Sequence, residues 1–286
     1  MSNGYYRPTG FQVLPPVVKS LLIINVLAYL ATIALQNFLG IDLIDKFGLR
    51  YMGAEKFAPH QFITYMFLHA NFTHIFFNMF ALWMFGNALE NVWGPKKFLI
   101  YYLVTGIGAA IVHYITIYLT LRPDLTLINR FLADPGIVNL YDLIANHHFI
   151  TNQLPGEILE HFKVFESDLE ILDQNPGNYD AMQRSIEFIS EYKTYFLNLP
   201  NVIGASGAVF GILLAFGMIF PNHTIYIYFA IPIKAKWFVI LYGLLELYLG
   251  FSQSSSNVAH FAHLGGMIFG YFLIILWRYK NKPNHY

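Results

Sequence analysis

The stretch VIGASGAVFGILLAFGMIF, Val202–Phe220, decides how the rest of the chain is read. It holds no charged residue, and its one polar side chain is Ser206. A helix needs about 20 apolar residues to cross a bilayer, so the run predicts a membrane span with a single hydroxyl near its start. Polar groups within a span are costly and are functional candidates by default. A lone serine there is nonetheless more often a packing residue bonded to a backbone carbonyl. What Ser206 means depends on what else lies at its depth.

Five further runs have the same character: Val17–Leu39, Asn71–Trp93, Lys97–Leu119, Trp237–Gly250 and Val258–Trp277. Asn71 is placed to cap the second span and Gly94-Pro95 to close it. The fifth is short unless Ile231–Ile233 belongs to it. The 286 residues are 56% hydrophobic and 12% charged, about half the charged share of a soluble domain. The amino terminus lacks the short apolar core and cleavage site of a secretory signal. Net charge is zero, which leaves no electrostatic case for nucleic acid. Cysteine is absent, excluding disulfides, thiolate metal sites and cysteine nucleophiles.

Orientation follows from the basic residues of the short loops. With the amino terminus inside, Arg7, Lys19, Lys96, Lys97, Lys234, Lys236, Arg278, Lys280 and Lys282 all fall on the inner side, and Glu90 is the one acid nearby. Residues 121–200 carry twelve acidic against five basic residues. They are punctuated by Pro123, Pro135, Pro155 and Pro176, and they show helical apolar spacing over Glu157–Asp173 and Ala181–Leu197. The expected organisation is an inner segment 1–16, spans one to three within 17–120, an outer helical insertion 121–200, spans four to six within 201–278, and an inner tail 279–286. The 40–70 connection is aromatic yet interrupted by Gly53, Pro59 and charges, as suits a loop resting in the membrane interface. The short Ser252–Ser256 run lies in the last outer loop.

Three polar clusters interrupt the spans: His69 to His74 and Asn78, Gly204-Ala-Ser206-Gly207 through Phe210 and Gly211, and His260 to His263, Gly265, Gly266 and Gly270. His74 and Asn78 are four apart and share a helical face. Counted from the outer ends, Ser206 lies about four residues and His263 about five into their spans, on the order of 6–8 Å deep. One outward layer can therefore hold all four residues. An imidazole is the usual base for a serine hydroxyl near neutral pH. The Asn78 amide, a His74 ring N–H and the Ser206 backbone N–H are candidate donors to an oxyanion. The small-xxx-small pairs Gly207/Gly211 and Gly266/Gly270 let the fourth and sixth helices approach closely. Glu90 lies at the wrong depth to complete a triad and Glu246 stays open, so a Ser206–His263 dyad is expected. Two other readings of the polar residues remain: a metal site of His69, His74, His260 and His263, and a transport path.

Taken together the three clusters resemble the rhomboid intramembrane proteases, with His69–His74–Asn78 matching a His-x4-His-x3-Asn motif, Gly204–Ser206–Gly207 a Gly-x-Ser-Gly motif, and His263 the histidine followed by spaced glycines. The resemblance covers roughly 17–120 and 201–278. It implies an all-α bundle of six transmembrane helices; with the charge pattern, the expected organisation adds a helical extracytoplasmic insertion between helices 3 and 4 and places the bundle in a bacterial cytoplasmic membrane with both termini inside. The resemblance makes Ser206 the nucleophile, His263 the base, His74 and Asn78 oxyanion donors, His69 a structural support and Phe210 an aromatic partner of the histidine. Glu90 and Gly94 match a structural Glu-x3-Gly pattern. The implied substrates are single-pass membrane proteins with helix-weakening residues and a small residue before the cut, met within membrane lipid. No metal, cofactor or nucleotide is implied. An inactive rhomboid-like protein that binds transmembrane helices is the alternative. The sequence departs from the pattern at His60 and Gln61, where the family usually has Trp-Arg, and in the length of the insertion.

Overall fold

The computed structural model describes residues 12–227, 230–252 and 257–280. The segment before Gln12, the serines Ser254–Ser256 and the tail beyond Lys280 lie outside the described residues. The chain is built of α-helices: α1 (Pro16–Leu39), α2 (Leu43–Phe47), α3 (Gln61–Thr64), α4 (Phe72–Ala81), α5 (Asn87–Trp93), α6 (Pro95–Ala133), α7 (Ile137–Asn146), α8 (Gly156–Gln174), α9 (Tyr179–Asn198), α10 (Ser206–Ile219), α11 (Ala235–Ser252) and α12 (Asn257–Lys280). Among the described residues four helices are long and apolar enough to cross a membrane: α1, α6, α11 and the His260–Tyr279 part of α12. Large apolar side chains on α1 (Ile23, Leu27, Leu30), α11 (Leu241, Leu244, Leu245) and α12 (Phe272, Leu276) are exposed. Such continuous apolar faces belong in hydrocarbon rather than water.

The chain forms two compact units. The first comprises residues up to Leu49, Ala58–Thr116 and from Asn201 onward. In it, α4 and α5 are joined without a break by a turn of π-helix, Leu82–Gly86. Asn71 caps α4, its side chain accepting from the His74 N–H at 2.9 Å, and Gly94, at φ +79°, ends α5. Helix α1 opens on Pro15-Pro16 with no cap of its own. Glu90 of α5 supplies one, accepting from the N–H groups of Val17 at 2.9 Å and Val18 at 2.8 Å. The Tyr101 hydroxyl of α6 donates to the Gly211 carbonyl of α10 at 2.8 Å.

The second unit comprises Arg50–Phe57 and Ile117–Pro200, including the C-terminal part of α6. Phe165, Phe188, Ile189, Tyr192 and Phe196 fill its core, and each fully buried aromatic or aliphatic side chain contributes about 1.5–3 kcal/mol. Asp168, buried on α8, accepts from Arg184 Nε of α9 at 3.0 Å. His147 bridges Asp124, at 2.6 Å, and the Tyr192 hydroxyl, at 3.0 Å.

Three expectations about the elements change. The third helix does not end near Leu119, because α6 continues through Pro123 to Ala133. A proline removes one intrahelical bond, and the next turns offset this by burying Ile128 and Phe131. Ile231–Ile233 does not extend the fifth span, since Ile231–Lys234 pairs antiparallel with Thr224–Ile227. The fourth helix starts at Ser206 rather than Val202, because Asn201–Val202 is extended and Gly204 takes φ +128°.

Candidate active site

Ser206 is the first residue of α10. Gly204 creates that position: its φ of +128° lies where L side chains are strained, and its N–H donates to the Tyr65 carbonyl at 2.8 Å. The first turn of a helix leaves its N–H groups without intrahelical acceptors, so the Ser206 amide is presented at a helix N-terminus where negative charge is favoured.

The Ser206 hydroxyl lies 2.9 Å from His263 Nε2 of α12. Helices α10 and α12 meet here because Gly266 has no side chain: a Cβ would stand 2.8 Å from the Gly207 carbonyl carbon. The other three glycines of the two small-residue pairs face α6 instead. A Cβ at Gly211 would meet Thr105 at 2.6 Å, one at Gly207 would collide with Ala109, and one at Gly270 with Tyr101. The expected two-helix contact is thus a three-helix one, with α6 as the partner the spacing did not reveal.

The His263 ring is held from three directions. Nε2 faces Ser206, Phe210 stacks on the ring face with centroids 4.2 Å apart and planes 5° from parallel, and Nδ1 lies 2.9 Å from Glu246 Oε2 of α11. The same carboxylate oxygen lies 2.8 Å from His260 Nδ1, and Glu246 is 4% exposed. Sequence reasoning favoured a Ser–His pair and left Glu246 open as a third member, and the structure places that carboxylate beside the histidine. The available signal was an ionisable residue inside a membrane helix. Depth counted from soft span boundaries did not decide its role.

His74 and Asn78 approach from α4. A Cβ built on Gly204 would lie 2.8 Å from His74 Nε2 and 3.6 Å from Ser206 Oγ, so the space vacated by that side chain is flanked by both groups. Asn78 follows one turn later, buried, and its Nδ2 has no hydrogen-bond partner among the described residues. His69 is buried with its ring edge-on to His74, centroids 5.0 Å apart. Gln61, where the family usually has arginine, is buried and donates to the Lys46 carbonyl at 3.2 Å. Among the described residues the metal-competent group is Glu246, His260 and His263, with ligand atoms within 4.8 Å of one another. It differs from the four-histidine set by lacking His69 and His74 and by including a carboxylate.

A membrane-embedded, all-α protein carrying a serine hydrogen-bonded to a histidine is the class these features define. Over residues 56–121 and 185–280, more than half its length, the chain matches the Rhomboid domain. It belongs to the rhomboid family. The match leaves 122–184 uncovered. The chain is 36% identical to rhomboid-like protein 11, chloroplastic, of Arabidopsis thaliana over 28% of its length and 30% of that relative. It is 24% identical to an uncharacterized mitochondrial rhomboid protein of Schizosaccharomyces pombe over 77% of its length and 52% of that relative. With rhomboid protease AarA of Providencia stuartii it shares 46% identity over 16% of each chain. The chain thus spans about half the length of these relatives or less.

Proposed function

We propose that the protein is an intramembrane serine endopeptidase that cuts single-pass membrane proteins near the outer membrane surface. The observation that carries this reading is the 2.9 Å contact between Ser206 Oγ and His263 Nε2. In the proposed reaction the Ser206 proton passes to Nε2 as Oγ attacks the scissile carbonyl carbon. The resulting oxyanion is met by the Ser206 N–H, His74 Nε2–H and Asn78 Nδ2–H. Collapse expels the amine, which takes the proton from His263, and leaves an acyl-Ser206. Water then releases the acyl group, activated by the same imidazole.

Six spans are proposed: the four long apolar helices, the continuous Phe72–Trp93 segment and α10. Helix α10 has 14 residues, a length of roughly 21 Å against a hydrocarbon core of about 30 Å. A helix reaching one face therefore stops short of the other, and Ser206 begins in a recess that water can enter. We place both termini on the inner side of a bacterial cytoplasmic membrane and 121–200 outside, on the basic inner loops and the acidic character of that stretch.

The test uses purified protein in detergent with a synthetic transmembrane substrate, a fluorophosphonate probe, the Ser206→Ala variant and a chelator. Cleavage and labelling by the wild type, both lost in Ser206→Ala, are expected. Binding of substrate without cleavage or labelling would favour the inactive, helix-binding alternative. Cleavage that survives Ser206→Ala and stops with chelator would favour a metal at Glu246, His260 and His263.

A further inference from the structure

We propose that Glu246 is a positioning residue that sets the tautomer and charge of His263, with His260 holding the carboxylate in place. The inference rests on the protease reading above and replaces its two-residue dyad with a serine, histidine, carboxylate relay assembled from α10, α12 and α11. A carboxylate only accepts hydrogen bonds. The ring nitrogens that face Glu246 Oε2 must therefore both carry hydrogen, Nδ1–H of His263 at 2.9 Å and Nδ1–H of His260 at 2.8 Å. A neutral imidazole has one N–H, so fixing it at Nδ1 leaves His263 Nε2 as a bare acceptor 2.9 Å from the Ser206 hydroxyl. That is the tautomer a general base requires. When the serine proton arrives at Nε2, the imidazolium lies against a negative charge already in place, and no group has to reorganise.

His260 is one helical turn before His263 on α12, and its Nδ1 faces Glu246 and not the serine. Its bond to the same oxygen gives Glu246 a second anchor, so the 4%-exposed carboxylate is held by two donors instead of one. Phe210 holds the ring face, which leaves the Nδ1 edge as the place where a tautomer can be selected.

The experiment measures kcat, KM and fluorophosphonate inactivation rate for Glu246→Gln, Glu246→Asp and His260→Ala, alongside wild type and Ser206→Ala. Glu246→Gln keeps the shape but loses the charge and can present an amide donor to Nδ1. Its kcat is expected to fall on the order of 10²–10⁴-fold, with KM within about twofold and slower probe labelling. Glu246→Asp, which keeps the charge, is expected to recover part of that loss, and His260→Ala to lose less than Glu246→Gln. Because Glu246→Gln can fail to fold, the tautomer is also read in wild type by ¹⁵N histidine resonances, assigned with His263→Ala. Protonation at Nδ1 of His263 with a bare Nε2 is expected. A proton on Nε2 in wild type, or a Glu246→Gln enzyme with wild-type kcat, overturns the proposal while leaving Ser206-dependent cleavage intact. Absence of cleavage and labelling by the wild type overturns the protease reading itself.

Discussion

An imidazole held at both edges and on one face has lost most of its rotational freedom before any substrate arrives, and His263 is such a group. Its Phe210 partner is testable in isolation. A stacked pair contributes about 0.5–1.5 kcal/mol beyond burial, so Phe210→Leu is expected to lower kcat roughly 2–13-fold while KM stays unchanged, read with the synthetic substrate. Asn78 separates a catalytic amide from a structural one. Its Nδ2 makes no hydrogen bond among the described residues, so Asn78→Ala forfeits none of the bonds seen there and its melting temperature should stay near wild type. If Nδ2 meets the oxyanion, kcat falls by about 10²–10³. A fall in melting temperature with kcat preserved would assign Asn78 to packing. Gly204 stands apart from both. A side chain there would be strained at φ +128° and would press on His74, and the backbone strain alone costs about 1–3 kcal/mol. Gly204→Ala should therefore lose labelling of Ser206 even in the folded fraction.

At the scale of elements, the site is a meeting of helices that only glycine permits. Gly266→Ala drives a methyl into the Gly207 backbone, and neither backbone can turn aside as a flexible side chain would. It is expected to destabilise the protein by about 1–3 kcal/mol and to part Ser206 from His263, seen as a lower melting temperature and lost cleavage. Gly243 on α11 is the control, since its added Cβ would find only Met267 at 3.6 Å, an ordinary contact. Gly243→Ala should be neutral or slightly stabilising, because glycine is the poorer helix former. These contacts mark the limit of what could be read from the chain. The apolar runs, Asn71 as a cap and the i, i+4 pairing of His74 with Asn78 are local patterns with a fixed period, so they were legible. The facing of Gly207, Gly211 and Gly270 onto α6 depends on how three helices rotate about their axes, which small-residue spacing does not encode. The start of α10 at Ser206 was hidden because Val202 and Ile203 are as apolar as the helix that follows. Glu246 was visible as a charge in a span, but its depth turned on where α11 begins, and the strand residues Ile231–Lys234 obscured that boundary.

At the scale of the molecule, the chain joins two units that answer to different solvents. The first exposes the apolar faces of α1, α11 and α12, whereas the second gathers its aromatic residues inward around Phe149, Phe165, Phe188 and Tyr192 and carries most of the chain's acidic residues. A stretch of this length with its own aromatic core lies in the size range of domains that fold alone. Residues 117–200 expressed without the rest of the chain are therefore expected to be soluble in water and helical, and to melt cooperatively by circular dichroism. An insoluble or unfolded product would show that these residues need the rest of the chain, whether Arg50–Phe57 of their own unit or the first unit. The fragment also offers a pH test. His161 Nδ1 lies 2.7 Å from Glu191 on the unit's surface, and that carboxylate raises the histidine above its usual range. A raised folded-state value means that the pair's contribution is fully present below the unfolded value of about 6.5 and is lost as pH rises through the folded value. Because the pair is exposed, the effect is small and screened by salt. It is isolated by comparing wild type with His161→Gln: the difference between their melting temperatures should be present at pH 5.5, vanish by pH 9, and shrink at high ionic strength. A difference that is independent of pH would mean that His161 stabilises the unit by packing and not by charge.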